Sequence, residues 1–200
     1  MEYMIYEGNK PYIIFNGTEL HQPNCLDVCK DVFSYTKILF EYLDHDVGVH
    51  KGYYDNLFKN NSYGHITEFI DSGSYDTIYI TGHSAGACLS VIATYLLANK
   101  YPHINFKTTL YGTIKQGNYQ FKKYFDKLPN VDIISFVNNK DIVPILPVYY
   151  KYYGVTDHIH LCNDGKCESM KNAYLFKNHS IVDHDKLNYL KNLFKIFIDV

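Results

Sequence analysis

The chain has 200 residues, 46% of them apolar and 20% charged, with a formal net charge of -2. That length and apolar content suffice for one ordinary domain with a sizeable core, and residues 1–200 are expected to form a single unit. The near-neutral balance without a basic run argues against nucleic acid as a partner, and no segment reaches membrane-spanning length.

In chain order, the β-branched and aromatic segments Tyr3–Tyr6 and Tyr12–Phe15 read as strands. The interval from Glu19 to Val49 carries an apolar run, Val32 to Tyr42, that serves equally as a cover over a site or as a core element; periodicity does not decide between them. A helix follows around Tyr53–Ile70. Then comes "TIYITGHSAGACLS": a strand over Thr77–Thr81, the pentapeptide Gly82-His83-Ser84-Ala85-Gly86, and a helix over Ala85–Asn99.

Five-residue patterns of this kind occur by chance, and an ordinary serine in a tight turn is the plain alternative. Its position at a strand-to-helix junction favours a nucleophile instead, because a sharp turn there projects Ser84 Oγ above the sheet. The amide of Ala85, at the positive end of the new helix, would face a developing oxyanion.

Strands over Phe106–Tyr111, Asp132–Val137 and Asp157–Cys162 alternate with helices around Tyr119–Lys127 and Asp185–Ile198. Helices between strands imply an α/β sheet whose ligands bind at the carboxyl ends of the strands. Asp141 sits just past such an end, in "VDIISFVNNKDIVPILP". An Asp capping a turn is the plain reading of Asn-Asn-Lys-Asp. The order serine then acid suits a triad better, since a serine hydroxyl needs a histidine to take its proton and an acid to orient that histidine.

Five blocks in order are similar to those of the class 3 lipases, an α/β-hydrolase family. "IIFNGT" (13–18) resembles the family's oxyanion strand, "VHKGYY" (49–54) its Val-His-x-Gly-Phe block and "TGHSAGACLS" (81–90) its elbow. "TLYGTIKQGNYQF" (109–121) resembles its Thr-Phe-Gly-x-Pro-x-x-Gly-Asn block, and "NNKDIVPILP" (138–147) its acid loop. Asn16 replaces the family's usual arginine, Ile114 a proline and Ala87 a glycine, and none of these changes removes a chemical role.

The resemblance implies an α/β-hydrolase fold, a mostly parallel central sheet flanked by helices. It also implies a serine hydrolase acting on carboxylic esters of acyl lipids, with no metal or organic cofactor. By the same likeness Thr18 supplies the second oxyanion donor opposite Ala85. The base lies in "KNHSIVDHDKLNYLKNL", where His179 matches one family form and His184 the commoner one; His184 is preferred because a base at a loop-to-helix boundary is held more rigidly. Related readings keep the triad but assign phospholipase, thioesterase or acyltransferase activity, and a catalytically silent lipase-like interaction module is the alternative from another class.

Five cysteines, Cys25, Cys29, Cys88, Cys162 and Cys167, form no dense disulfide framework. With an N-terminus lacking a signal-peptide pattern, they lead to an expectation of a cytoplasmic protein. In "DHIHLCNDGKCES", His158, His160 and Cys162 share one face of a strand, with Cys167 returning after Asp164-Gly165. That spacing is compatible with zinc, but a plain hairpin with cross-strand neighbours is the simpler expectation. His50 and His83 flank the site and are expected to serve packing and hydrogen bonding.

Overall fold

A computed structural model describes residues 3–17, 40–147, 151–164, 166–170 and 178–198. Among the described residues are nine strands and five α-helices: β1 Tyr3–Glu7, β2 Pro11–Phe15, β3 Phe40–Asp44, β4 Val47–His50, α1 Lys51–Phe58, α2 Ser62–Ser72, β5 Thr77–His83, α3 Ala85–Lys100, β6 Asn105–Tyr111, α4 Tyr119–Phe125, β7 Val131–Asn138, β8 His158–Leu161, β9 Cys167–Met170 and α5 Lys186–Ile198.

The main sheet has seven strands in the order β1-β2-β5-β6-β7-β8-β9. From β2 to β8 every neighbour is parallel, and an antiparallel strand closes each edge. This is the α/β-hydrolase fold. Parallel neighbours require crossovers, which α3 and α4 supply, and all carboxyl ends therefore point to one side.

In β5, burial alternates residue by residue, with Ile78 and Ile80 inside. These apolar positions and Phe106, Thr108 and Leu110 of β6 line the face that receives α3. That helix is apolar nearly all round, and 12 of its 16 residues are buried. It can be so because the sheet covers one side while α1 and α4 cover the other. Each fully buried Leu, Val or Ile there contributes about 1.5–3 kcal/mol relative to exposure. Its two buried hydroxyls are satisfied locally: Ser90 Oγ donates to the Gly86 carbonyl at 2.9 Å, and Thr94 Oγ1 donates to the Ser90 carbonyl at 2.7 Å. The opposite face, formed by His83 and Tyr111, receives α5 through Tyr189.

One expectation is corrected, and one reading left open is decided in part. The helix read over Tyr53–Ile70 is interrupted at Asn60 and Asn61, whose φ angles of 54° and 58° lie in the left-handed region that asparagine tolerates better than most residues. The end of the interval read as a possible cover is a two-stranded ribbon, β3 against β4, whose Val47 and Val49 are buried in the core. The rest of that interval, residues 19–39, lies outside the described residues, as does Thr18. No helix among the described residues is long and apolar enough to cross a membrane.

Candidate active site

At the end of β5 the chain turns into α3 through a single residue. Ser84 has φ 57° and ψ -123°, a strained conformation for a residue with a side chain. Its amide donates to the Tyr111 carbonyl at 2.9 Å, and its carbonyl accepts from the amides of Ala87 and Cys88, which locks the turn to β6 and to the helix it starts. The turn is also pressed against β2. A Cβ on Gly86 would lie 2.2 Å from the Phe15 carbonyl oxygen, so only glycine lets the helix start approach the strand that precedes Thr18.

Three side chains form a continuous relay. His184 Nε2 lies 2.7 Å from Ser84 Oγ, and His184 Nδ1 lies 2.8 Å from Asp141 Oδ2. Asp141 is completely buried and His184 is 5% exposed, so both contacts are shielded from water. The carboxylate is held from two further directions: the Tyr189 hydroxyl donates to Oδ2 at 2.6 Å, and the Val143 amide donates to Oδ1 at 2.8 Å. The Asp141 side chain thus meets three hydrogen-bond partners, which offset the cost of burying it. Burial and the adjacent carboxylate push the Tyr189 phenol well above its ordinary range, so the hydroxyl remains a donor.

The segment that leads to His184 is tied to the loop around Asp141 along its whole approach. The Ser180 amide donates to the Lys140 carbonyl at 2.8 Å, and the Ile142 amide donates to the Ser180 carbonyl at 3.3 Å. Asn138 Nδ2 donates to the Asp183 carbonyl and Asn139 Nδ2 to the Asp183 carboxylate, both at 2.8 Å. Asn192 of α5 completes the link by donating to Asn138 Oδ1 at 2.6 Å. His184 is therefore positioned by residues on both sides of Asp141.

His83 lies beneath it, the rings stacked with centroids 4.7 Å apart, and its Nε2 donates to the His184 carbonyl at 2.8 Å. Burial, reinforced by the neighbouring imidazole, lowers the His83 pKa to about 4. His83 is thus neutral at neutral pH, and places no second charge against an imidazolium at His184. Gly112 closes the floor: with φ 57° it adopts a glycine conformation, and a Cβ there would lie 2.8 Å from Tyr189 Oη and 3.0 Å from Asp141 Oδ2.

The structure thus brings Ser84, Asp141 and His184 together, and Ala85 at the start of α3 beside them. His184, rather than the alternative His179, occupies the position between serine and acid. Sequence reasoning gave no site role to Tyr189, Asn138, Asp183, Asn192 or Gly112. Asp183 and Tyr189 entered it only as the spacing around His184 that resembles the commoner family form, and Gly112 carried a local signal as a lone glycine at the end of a strand pattern. The histidines expected near a hairpin separate: His158 Nδ1 meets Ser135 Oγ at 2.9 Å, while His160 and Cys162 stay together.

A cavity of about 250 Å³ opens beside the elbow, between Phe15, Asn16, Gly17, His83, Tyr111 and Lys186. It offers apolar walls and one cation.

Comparison with known proteins places these features in context. Residues 12–151 match the family described as lipase (class 3). A phospholipase A1-II 5 of Oryza sativa subsp. indica is 25% identical over 118 residues, which are 56% of this chain and 24% of the relative. A secreted mono- and diacylglycerol lipase of Malassezia globosa is 27% identical over 100 residues, 50% of this chain and 32% of the relative. The chain therefore spans about a quarter to a third of the length of these relatives. The triacylglyceride lipase of Rhizomucor miehei has a similar fold, with TM-score 0.69 and 18% identity, covering 91% of this chain and 73% of that one.

Proposed function

The chain belongs to the class 3 lipase family, and from that premise we propose that it is a serine hydrolase of carboxylic esters in acyl lipids. The observation that carries the reading is the unbroken relay from Ser84 Oγ through His184 to buried Asp141, on an elbow at the carboxyl end of the sheet.

In this reading Ser84 Oγ attacks the ester carbonyl as His184 Nε2 takes its proton. Asp141, accepting from Nδ1, stabilises the imidazolium and fixes the ring's orientation. The carbonyl oxygen becomes an oxyanion facing the amide of Ala85, and the family resemblance assigns the second donor to Thr18. Its collapse breaks the bond to the alcohol, which leaves with the proton from His184. Water, deprotonated by the same nitrogen, then attacks the acyl-enzyme and releases the fatty acid and the free serine. Every proton that moves passes through His184, which accounts for the number of contacts spent on its position.

A second reading, phospholipase activity by the same relay, is favoured by one observation: Lys186 is among the residues that line the cavity, where an ammonium can meet a headgroup phosphate. The test is a panel of dissolved butyrate esters, diacylglycerol and phosphatidylcholine with free fatty acid as the readout. The lipase reading expects release from the first two. Release from phosphatidylcholine that falls in Lys186→Ala, with butyrate turnover intact, would select the second reading, and no release from any ester by folded protein would contradict both.

A further inference from the structure

Away from the relay, the edge ribbon β8–β9 gathers a different set of groups. His160 and Glu168 are directly opposed across the two strands, and Cys162 follows two residues after His160 on the same face. One ligand atom from each, an imidazole nitrogen, the thiol sulfur and a carboxylate oxygen, lie within 4.8 Å of one another. We propose that His160, Cys162 and Glu168 bind a divalent cation of borderline softness, Zn²⁺ foremost, with water in the remaining position.

The geometry between the first two ligands is already that of a bound pair. Cys162 Sγ lies 3.4 Å from His160 Nδ1. With bonds of about 2.0–2.1 Å to nitrogen and 2.3 Å to sulfur, a tetrahedral zinc holds these atoms roughly 3.5 Å apart. The other ring nitrogen, Nε2, donates to the Asn139 carbonyl at 2.7 Å. That bond fixes the tautomer whose lone pair is on Nδ1, the atom facing the sulfur, and it is the outer contact that histidine ligands commonly make. Glu168 is exposed, with a carboxylate oxygen within 4.8 Å of both other ligand atoms.

The backbone around the cluster is tied down. The Cys162 amide donates to the Lys166 carbonyl at 2.9 Å across the turn. Asn163, next to Cys162, accepts from Asn192 Nδ2 at 2.9 Å and from Lys195 Nζ at 3.1 Å, both on α5. A nitrogen, sulfur and carboxylate set selects zinc and its neighbours over calcium and magnesium, which require oxygen ligands throughout. On binding, the Cys162 thiol gives its proton to solvent, and the metal–sulfur bond replaces the contact between thiol and imidazole. The ion would also bear on the acid loop, since Asn139 both receives His160 and holds Asp183.

The test uses the purified chain, stripped with chelator under reducing conditions and titrated with Co²⁺. The expected result is one Co²⁺ per chain, with the visible bands of a tetrahedral ion and a sulfur-to-cobalt charge-transfer band. That band should disappear in Cys162→Ser and persist in Cys167→Ser, because Cys167 is opposite Leu161 and out of phase with Glu168. Glu168→Gln, an exposed change that leaves the fold alone, should weaken binding by more than the roughly 10–100-fold that loss of an outer partner costs. No stoichiometric uptake of Co²⁺ or Zn²⁺ by folded wild type would overturn the proposal. So would a band that survives Cys162→Ser or vanishes in Cys167→Ser, or an unchanged affinity in Glu168→Gln. The optical readout is independent of any ester hydrolysis.

Discussion

The helix that starts at Ala85 and the helix that starts at Lys186 each follow a member of the relay, Ser84 and His184 respectively, but they are held by different forces. Helix α3 is buried on nearly every side, and its hydroxyls bond within the helix or to the neighbouring strand. Helix α5 buries Tyr189 and Asn192 and leaves Leu187, Leu190 and Phe194 largely exposed. Its attachment is polar: a phenol to Asp141, and an amide to Asn138 and Asn163. Ser84 is therefore fixed by packing, which resists volume change, and His184 by directional hydrogen bonds, which resist reorientation.

The largest effect expected is on chemistry alone. Ser84→Ala removes a hydroxyl from the elbow without opening a core cavity, so turnover should fall on the order of 10⁶-fold while the denaturation midpoint stays put. A midpoint that drops with the activity would mean that Ser84 belongs to the packed region in function as well as place.

Acid titration probes both sides together. Burial lowers the pKa of His50 at the entry to α1, of His83 beneath the base and of His158 on β8 to about 4 in each case. The unfolded chain, with histidines near 6.5, then binds more protons than the native state between about pH 4 and 6.5. Native stability is accordingly full above that window and is lost as pH falls through it, by on the order of 1 kcal/mol per pH unit for each histidine. Urea midpoints at pH 7, 6 and 5 should decrease in step; a flat series would contradict the buried neutral state of these rings.

Overfilling the packed helix comes next. Ala93→Leu, at a fully buried position of α3, should cost about 1–3 kcal/mol in chemical denaturation because no neighbour can withdraw. On the polar side, Tyr189→Phe keeps the ring and removes the hydroxyl from Asp141. Turnover should fall about tenfold, the value of one charged hydrogen bond. Unchanged turnover would reduce Tyr189 to a packing role. The smallest effect is expected from Leu190→Ala, an exposed position of α5, within about 0.5 kcal/mol of wild type by the same denaturation measurement.

The same contrast explains what could be read from the residues alone. Ser84 and Asp141 stand at strand ends, and a strand end is marked locally by the apolar alternation that stops there. The choice between His179 and His184 could not be marked in that way. It depends on Tyr189, Asn138, Asp183 and Asn192, whose contacts reach across 45 to 54 residues of chain. The break at Asn60 and Asn61 was overlooked because the apolar spacing continues through it. The β3–β4 ribbon was overlooked because a short apolar run fits helix, strand or cover equally well, and its pairing includes an irregularity between Tyr42 and Asp44. Glu168 gave no signal at all, since only its register opposite His160 sets it apart from any exposed acid.

Ser84 as the activated nucleophile is the claim on which the rest depends, and covalent labelling reaches it without any choice of lipid. A fluorophosphonate probe should modify folded wild-type protein at the peptide containing Ser84 and should leave Ser84→Ala unmodified. Modification that persists in Ser84→Ala, or folded wild type that takes up no probe, would contradict the account.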